Sequence, residues 1–274
     1  MRVVALFAVC AAATVASAQS APPVMLGLHP RVGDTLHTWL EQRTEISAIT
    51  PSNAAMPSRT VTTSVAIYSR TIVRSVQQAS TTVLTIVDSA TLTSTDEHAT
   101  EMIAAAQRSL RGQQLVLQLG TDGGVERARD AQGTLIPRDV MDAMAAMPAV
   151  FPKKPVSVGD QWVREMPLPP GGPMGARGSG YVRAVFHLDS LPRSGAIAYV
   201  SMRGDILADN TNEGVALSGS ITGALQLDRV RGWMTESQFI VTLRSVVNPP
   251  PATGLAPMRF LTRVTQHLRT MDKR

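Results

Sequence analysis

The sequence predicts a mainly β (α+β) fold, a strongly curved antiparallel sheet or half-barrel meander with two short helices packed on or in its concave face. Apolar and polar residues alternate over strand-length segments, as in residues 60–67, which is the pattern of half-buried strands. The first three such segments follow one another without a helix, and this favours antiparallel pairing. Gly219 and Gly223 lie on the apolar side of one predicted strand, where missing side chains favour a sharp bend.

Residues 1–18 have the pattern of a signal peptide. Arg2 precedes an apolar run from Val3 to Val15, and Ala16-Ser17-Ala18 supplies a small-residue cleavage pattern. The run is shorter than the ~20 residues that cross a membrane as a helix, and no later uncharged stretch approaches that length. We therefore expect an exported product, periplasmic or secreted, with no transmembrane segment.

The single cysteine, Cys10, lies inside this apolar run. A lipid-attachment site there is the weaker alternative, because Phe7-Ala8-Val9 lacks the small residue expected just before the thiol. Cleavage before Gln19 leaves a chain without cysteine, which excludes thiol nucleophiles and disulfides. Removing Arg2 changes the net charge from +5 to +5 − 1 = +4, and aromatic residues make up 4%. A weakly basic chain with few aromatics is not expected to bind nucleic acid.

The remaining chain is expected to form one β-rich domain. Residues 19–30 contain three prolines and no periodicity, so we expect a flexible N-terminal segment. Residues 31–271 then form the domain, with two pseudo-repeated halves, 31–135 and 156–271, joined by a helix over 137–147.

The elements are predicted from periodicity and turn residues. A first helix is expected over 97–110, capped by Thr95 or Asp96 and stopped at Gly112. The proline-rich segments 167–180 and 248–257 are expected to be loops. The predicted strands cover residues 34–49, 59–77, 80–95, 113–120, 125–130, 181–191, 196–207, 214–228, 233–247 and 258–271.

Each half opens with the same turn. Val32-Gly33-Asp34 and Val158-Gly159-Asp160 each lead into a strand that carries a tryptophan, Trp39 or Trp162. Paired catalytic carboxylates are one interpretation of the two aspartates. Backbone hydrogen bonding is the better one, because aspartate after glycine is turn chemistry.

No catalytic or metal-binding constellation is predicted, and no cofactor. The five histidines lack the spacing of a zinc pair. His98 lies beside Asp96, Glu97 and Glu101, but acidic residues are ordinary in a first helical turn. A serine flanked by glycines in the nucleophile-elbow pattern is absent. We therefore do not expect an enzyme.

Three segments together resemble a family of exported bacterial β-rich proteins of unknown function. They are Pro155-Val156-Ser157-Val158-Gly159-Asp160-Gln161-Trp162, the earlier Val32-Gly33-Asp34, and Leu225-Gln226-Leu227-Asp228 leading into Gly232-Trp233-Met234. The resemblance implies a strongly curved antiparallel sheet with a few helices in or beside the concave face. That architecture is similar to the half-barrels of periplasmic lipoprotein carriers. No catalytic residue follows from the resemblance.

The leading functional hypothesis is an exported, non-enzymatic protein that binds an apolar or lipid-like ligand on its curved sheet. A curved sheet with one apolar face must cover that face by closure, by helices or by a ligand. The residues expected to line it are Val182, Phe186, Leu217, Ile221, Leu225, Phe239, Val241, Phe260 and Val264.

The alternative is an envelope protein-protein interaction or structural module without a small ligand. It would act through the 167–180 loop or through Arg259, Arg263 and Arg269, which share one face of the last strand with His267. Such a basic row is more often a solvated face or a guarded sheet edge.

Overall fold

A computed structural model describes residues 22–49, 60–133, 150–167, 180–192, 195–208, 215–247 and 256–271. These residues form one open, curled antiparallel sheet of eleven strands, which confirms the predicted fold class. The strands are β1 (Thr35–Ile49), β2 (Thr60–Val76), β3 (Ser80–Ser94), β4 (Gln114–Gly120), β5 (Val125–Asp130), β6 (Gln161–Pro167), β7 (Gly180–Ser190), β8 (Ile197–Ala208), β9 (Val215–Asp228), β10 (Trp233–Val247) and β11 (Met258–Met271).

The sheet joins the two ends of the chain at its middle. Its order is β5-β4-β3-β2-β1-β11-β10-β9-β8-β7-β6, so the first and last strands are neighbours. They pair from His37↔Met271 to Ile49↔Arg259. Each half of the chain is thus a meander, and β5 and β6 are the edges.

The two rims of the sheet differ in their connections. Short turns join β2 to β3, β4 to β5, β7 to β8 and β9 to β10, and we call this side the tight-turn rim. The connections of β1 to β2, β3 to β4, β6 to β7, β8 to β9 and β10 to β11 are at the opposite side. We call it the long-connection rim, because four of these five connections have ten residues or more, whereas those of the tight-turn rim have at most six. Long connections on a rigid scaffold are the usual place for binding residues.

Two segments close the interior at the tight-turn rim, and we call residues 24–30 and 150–156 the plug. They pair with each other through Val24 N to Val156 O (2.8 Å) and Val156 N to Val24 O (2.9 Å). The Phe151 amide donates to Asp122 O at 3.2 Å, in the turn between β4 and β5. Leu26 is only 3% exposed, within the main apolar core. Residues 22–30 belong to the segment expected to be flexible, yet they contribute to this core.

The plug also contacts edge strand β6. The Trp162 indole donates to Val150 O at 2.9 Å and stacks on Phe186. The Arg164 guanidinium donates to Phe151 O and lies 3.6 Å from an Asp122 carboxylate oxygen. One segment therefore bridges the β4–β5 turn and β6, although the sheet itself stays open.

The two Gly-Asp turns have matching hydrogen bonds. Asp34 accepts from the Arg31 amide at 2.8 Å, and Asp160 accepts from the Ser157 amide at 2.7 Å. Gly33 and Gly159, both at positive φ, donate to Val73 O and Leu188 O at 2.9 Å. The backbone role predicted for the two aspartates is confirmed.

The two tryptophans of the repeated motif are not equivalent. Leu36 pairs with Thr71, two residues before the Val73 contact of the first turn, and Trp162 pairs with Phe186, two before Leu188. The structural counterpart of Trp162 is therefore Leu36, whereas Trp39 points to the opposite face of the sheet.

Helix α1 (Thr100–Leu110) follows a 3-10 turn, Glu97–Ala99, that Asp96 caps by accepting from the His98 amide at 3.2 Å. β4 pairs only with residues 80–86 of β3. Beyond that point, Gln107 of α1 accepts from the Leu92 amide at 3.1 Å. The helix thus covers an edge that β4 leaves unpaired. The helix predicted over 137–147 lies outside the described residues.

Candidate functional site

All nine predicted ligand-lining residues lie on one face of the sheet. The registers align Phe186 with Met202, Met202 with Gly223 and Gly223 with Phe239, and continue to β11 with Val241 opposite Val264. Side chains in cross-strand register share a face. Because the plug packs on this face, we call it the inner face.

Burial divides the nine residues into two groups. Val182, Phe186, Leu217, Leu225 and Phe239 are buried in the core together with plug residues such as Leu26 and Phe151. Phe186 is 0% exposed, so it is a core residue with no surface left for a ligand. The partly buried residues are Ile221, Val241, Phe260 and Val264.

The inner face remains partly exposed over the central strands. Leu40 of β1 and Val61, Val65 and Ile67 of β2 are only half-buried, and Ile46 of β1 is 40% exposed. These side chains adjoin β11, which carries Phe260 and Val264. Within the described part of the chain, the apolar inner face is therefore well covered beside the plug and less covered toward β1 and β2.

A groove of about 370 Å³ opens at the long-connection rim, where β1 ends and β11 begins. Most of its lining is on the outer face, where register places Ile49, Ser218, Arg244, Val246 and Arg259. Of its inner-face members, Leu217 and Ser245 are only 7% and 2% exposed, and Phe260 is half-buried. Its polar members are Ser218, Arg244, Ser245 and Arg259. The groove therefore lies mainly on the outer face, where two arginines stand beside the apolar side chains of Ile49 and Val246.

The outer face carries polar networks. Glu236 accepts from Gln226 at 2.8 Å and lies 2.9 Å from His267 Nε2, and Arg269 Nε is 3.4 Å from the same carboxylate. The hydrogen bond with His267, reinforced by the charge of Arg269 and partly opposed by burial, holds the pKa of Glu236 below its ordinary value. The basic row predicted on β11 thus lies on this face, with Arg269 in an ion pair.

One serine, histidine and aspartate cluster is present on the outer face, and the sequence did not indicate it. His187 Nδ1 lies 2.5 Å from Asp189 Oδ1, and the Ser201 hydroxyl donates to the same oxygen at 2.8 Å. In a hydrolytic triad the histidine stands between the serine and the carboxylate. Here the aspartate stands between them, so the histidine is not placed to take the serine proton.

The described residues contain neither a cluster of metal-binding side chains nor a membrane-spanning helix. In this part of the chain, no group of three or more histidine, cysteine, aspartate or glutamate side chains is arranged to hold a metal ion. No helix among the same residues is long and apolar enough to cross a membrane.

No family model and no curated protein matches the chain. Among solved structures, DynF from the dynemicin biosynthesis pathway of Micromonospora chersina matches with 8% identity and a TM-score of 0.25, over 96% of this chain and 92% of that chain. Similarity at that level carries no argument about function.

Proposed function

We propose that this protein is an exported, non-enzymatic binding protein that holds an apolar or lipid-like ligand against the inner face of its curled sheet. Export rests on the signal-peptide pattern of residues 1–18. Binding rests on one observation, the apolar inner face that the plug covers at the tight-turn rim and that is only half-buried over β1, β2 and β11.

Apolar surface that stays in contact with water is unfavourable in free energy. Each Å² of apolar surface removed from water contributes about 25 cal/mol. Phe260, Val264 and Ile46 retain surface that an acyl chain would cover.

The first test is native mass spectrometry of the protein purified gently from its own envelope, followed by organic extraction and lipid analysis. The proposal expects a stoichiometric co-purifying lipid, or uptake of a fluorescent fatty acid by the purified protein. An apo mass together with no uptake would contradict it.

A pair of variants locates the site. Phe260→Asp places a carboxylate on the inner face, whereas Leu261→Asp places one on the opposite face of the same strand. We expect Phe260→Asp to abolish uptake and Leu261→Asp to retain it, with both folded by circular dichroism. Equal fatty-acid uptake by both variants would show that the ligand does not bind on the inner face. Phe186→Asp is unsuitable because burying an unpaired charge destabilises the fold.

A second candidate function, an envelope interaction module, is favoured by apolar residues on the outer face. Tyr181 of β7 pairs with Leu207 of β8, and both are about two-fifths exposed, at 40% and 42%. Val163 on the neighbouring edge strand is 47% exposed. Exposed apolar side chains on one face of adjacent strands are typical of a surface that contacts another protein. The test is crosslinking in the envelope. A crosslink to an envelope protein that forms with the wild type and is lost in Tyr181→Asp, together with no detected ligand, would favour this function.

A further inference from the structure

A strip of apolar and cationic side chains follows the long-connection rim on the outer face. It consists of two cross-strand rows, and side chains in cross-strand register share a face. The row on β11, β10, β9, β8 and β7 is Leu261, Arg244, Ser218, Leu207 and Tyr181. The row nearer the rim, on β1, β11 and β10, is Ile49, Arg259 and Val246. We call these eight residues the rim strip.

The rim strip has exposed apolar side chains at both of its ends. Ile49 at one end is 47% exposed, and the cross-strand pair of Leu207 and Tyr181 at the other is 42% and 40% exposed. Val32 and Val230 at the opposite ends of the strands are more exposed, at 65% and 71%, but each lies alone in a turn. Apolar residues scattered singly are normal on a protein surface, whereas neighbouring ones indicate a contact.

The middle of the rim strip is cationic. Arg244 and Arg259 are both exposed and are diagonal neighbours on adjacent strands. In the part of the chain that the structure describes, neither guanidinium has an acidic partner within 4 Å, and the rim strip contains no carboxylate. Three arginines further from the rim on the same face are in ion pairs, Arg43 with Glu45, Arg183 with Glu165 and Arg269 with Glu236. The two rim arginines therefore attract an anion.

We infer that the rim strip docks the protein on the surface of an anionic lipid bilayer. Arg244 and Arg259 suit lipid phosphates, because a guanidinium binds phosphate through two parallel hydrogen bonds. The apolar stem of arginine also packs along apolar surface while its charged end stays in water. Tyrosine is enriched at the same boundary between head groups and acyl chains. Apolar side chains on both sides of a cationic centre are thus better matched by a bilayer surface than by an acidic protein.

This inference goes beyond the proposed function, since it concerns the outer face and needs no ligand on the inner face. It also assigns Tyr181 and Leu207 to lipid contact instead of the protein contact of the second candidate function. Two arginines and a few apolar side chains are a small surface, so we expect weak and reversible docking. Salt should weaken it further, because exposed charges are screened.

The test is co-sedimentation of the purified protein with vesicles of phosphatidylglycerol and phosphatidylcholine, and with vesicles of phosphatidylcholine alone, at low and high salt. We expect binding to the anionic vesicles to be roughly tenfold tighter or more at low salt, with the preference falling as salt is added. Arg244→Gln/Arg259→Gln should lose this preference. The matched control, Arg127→Gln/Arg129→Gln on edge strand β5, removes the same charge outside the rim strip and should keep it.

A second pair of variants tests the apolar ends. Leu207→Ser/Tyr181→Ser should weaken binding to both kinds of vesicle, because it removes apolar contact and no charge. Val32→Ser/Val230→Ser removes apolar side chains that are more exposed but lie at the opposite ends of the strands, and it should bind like the wild type. Circular dichroism checks that every variant is folded.

The outcomes separate this inference from the proposed function. Equal binding to anionic and neutral vesicles, or loss of binding in Val32→Ser/Val230→Ser but not in Leu207→Ser/Tyr181→Ser, overturns the inference. Absence of vesicle binding also overturns it, and a crosslink to an envelope protein that is lost in Arg244→Gln/Arg259→Gln would then assign the rim strip to a protein partner. Uptake of a fluorescent fatty acid should be the same in wild type and Arg244→Gln/Arg259→Gln, so either proposal can fail while the other stands.

Discussion

Gly223 of β9 lies directly against Phe239 of β10. A Cβ atom built on Gly223 would stand 2.3 Å from Phe239 Cδ1 and 2.5 Å from Gln238 O. At Gly219, four residues earlier on the same face, it would stand 2.3 Å from Thr242 O. Neighbouring strands approach each other on the inner side at these points, as expected where a sheet curls toward that side. The bend predicted from these two glycines is therefore visible as a close approach.

Gly223→Ala should destabilise the fold by about 1–3 kcal/mol, because overpacking forces Phe239 or the backbone to move. Gly27→Ala is the control, since its added Cβ would meet nothing closer than 3.6 Å. Urea unfolding midpoints measure the difference. Equal midpoints for the two variants would show that the sheet accepts a side chain at Gly223 without strain.

Leu26→Ala tests the plug. Leu26 is 3% exposed in the core, and a buried leucine cut to alanine costs about 2–4 kcal/mol. Met25 next to it is 50% exposed, so Met25→Ala should change the free energy of unfolding by less than about 0.5 kcal/mol. A Leu26→Ala variant as stable as Met25→Ala would mean that residues 22–30 do not hold the core together.

The two Gly-Asp turns should respond alike to loss of their carboxylates. Asp34→Ala and Asp160→Ala each remove a hydrogen bond to a backbone amide, which costs about 1 kcal/mol. Asp205→Ala, on an exposed position of β8, is the control. Thermal unfolding of the three variants is the measurement. A large effect from only one of the two turns would argue against equivalent roles.

Glu236→Gln should change the way in which the free energy of unfolding depends on pH. The pKa of Glu236 is lowered in the folded state, so the ionised carboxylate contributes stability above its ordinary pKa of 4.5. That contribution is lost as the pH falls below 4.5 through the folded-state value. Glu236→Gln should therefore be less stable than wild type at pH 7, and the gap should close in acid. Urea unfolding of both proteins at each pH is the measurement, and a gap that does not change with pH would contradict the prediction.

The sequence predicted the strands and their faces because alternation is a local signal. Val182, Phe186 and Phe260 were placed on one face by period-two spacing alone. Their difference in burial was not predictable, because it depends on Leu26 and Phe151, which pack on the sheet from aperiodic segments. Residues 24–30 belong to the 19–30 segment, which is predicted to be flexible because it contains three prolines and no periodicity. The diagonal placement of Arg244 and Arg259 required the β10–β11 register, which no local pattern contains.

The pairing of β1 with β11 also means that the sheet can be completed only once β11 is available. His37 pairs with Arg70 of β2 on one side and on the other with Met271 of β11, 271 − 37 = 234 residues further along the chain. Before then, β1 and β10 each present a bare edge, which invites pairing with other chains. Contacts between such distant residues form slowly. A chain truncated before residue 258 would therefore hold two meanders with no hydrogen-bonded strand between β1 and β10, connected only through the plug.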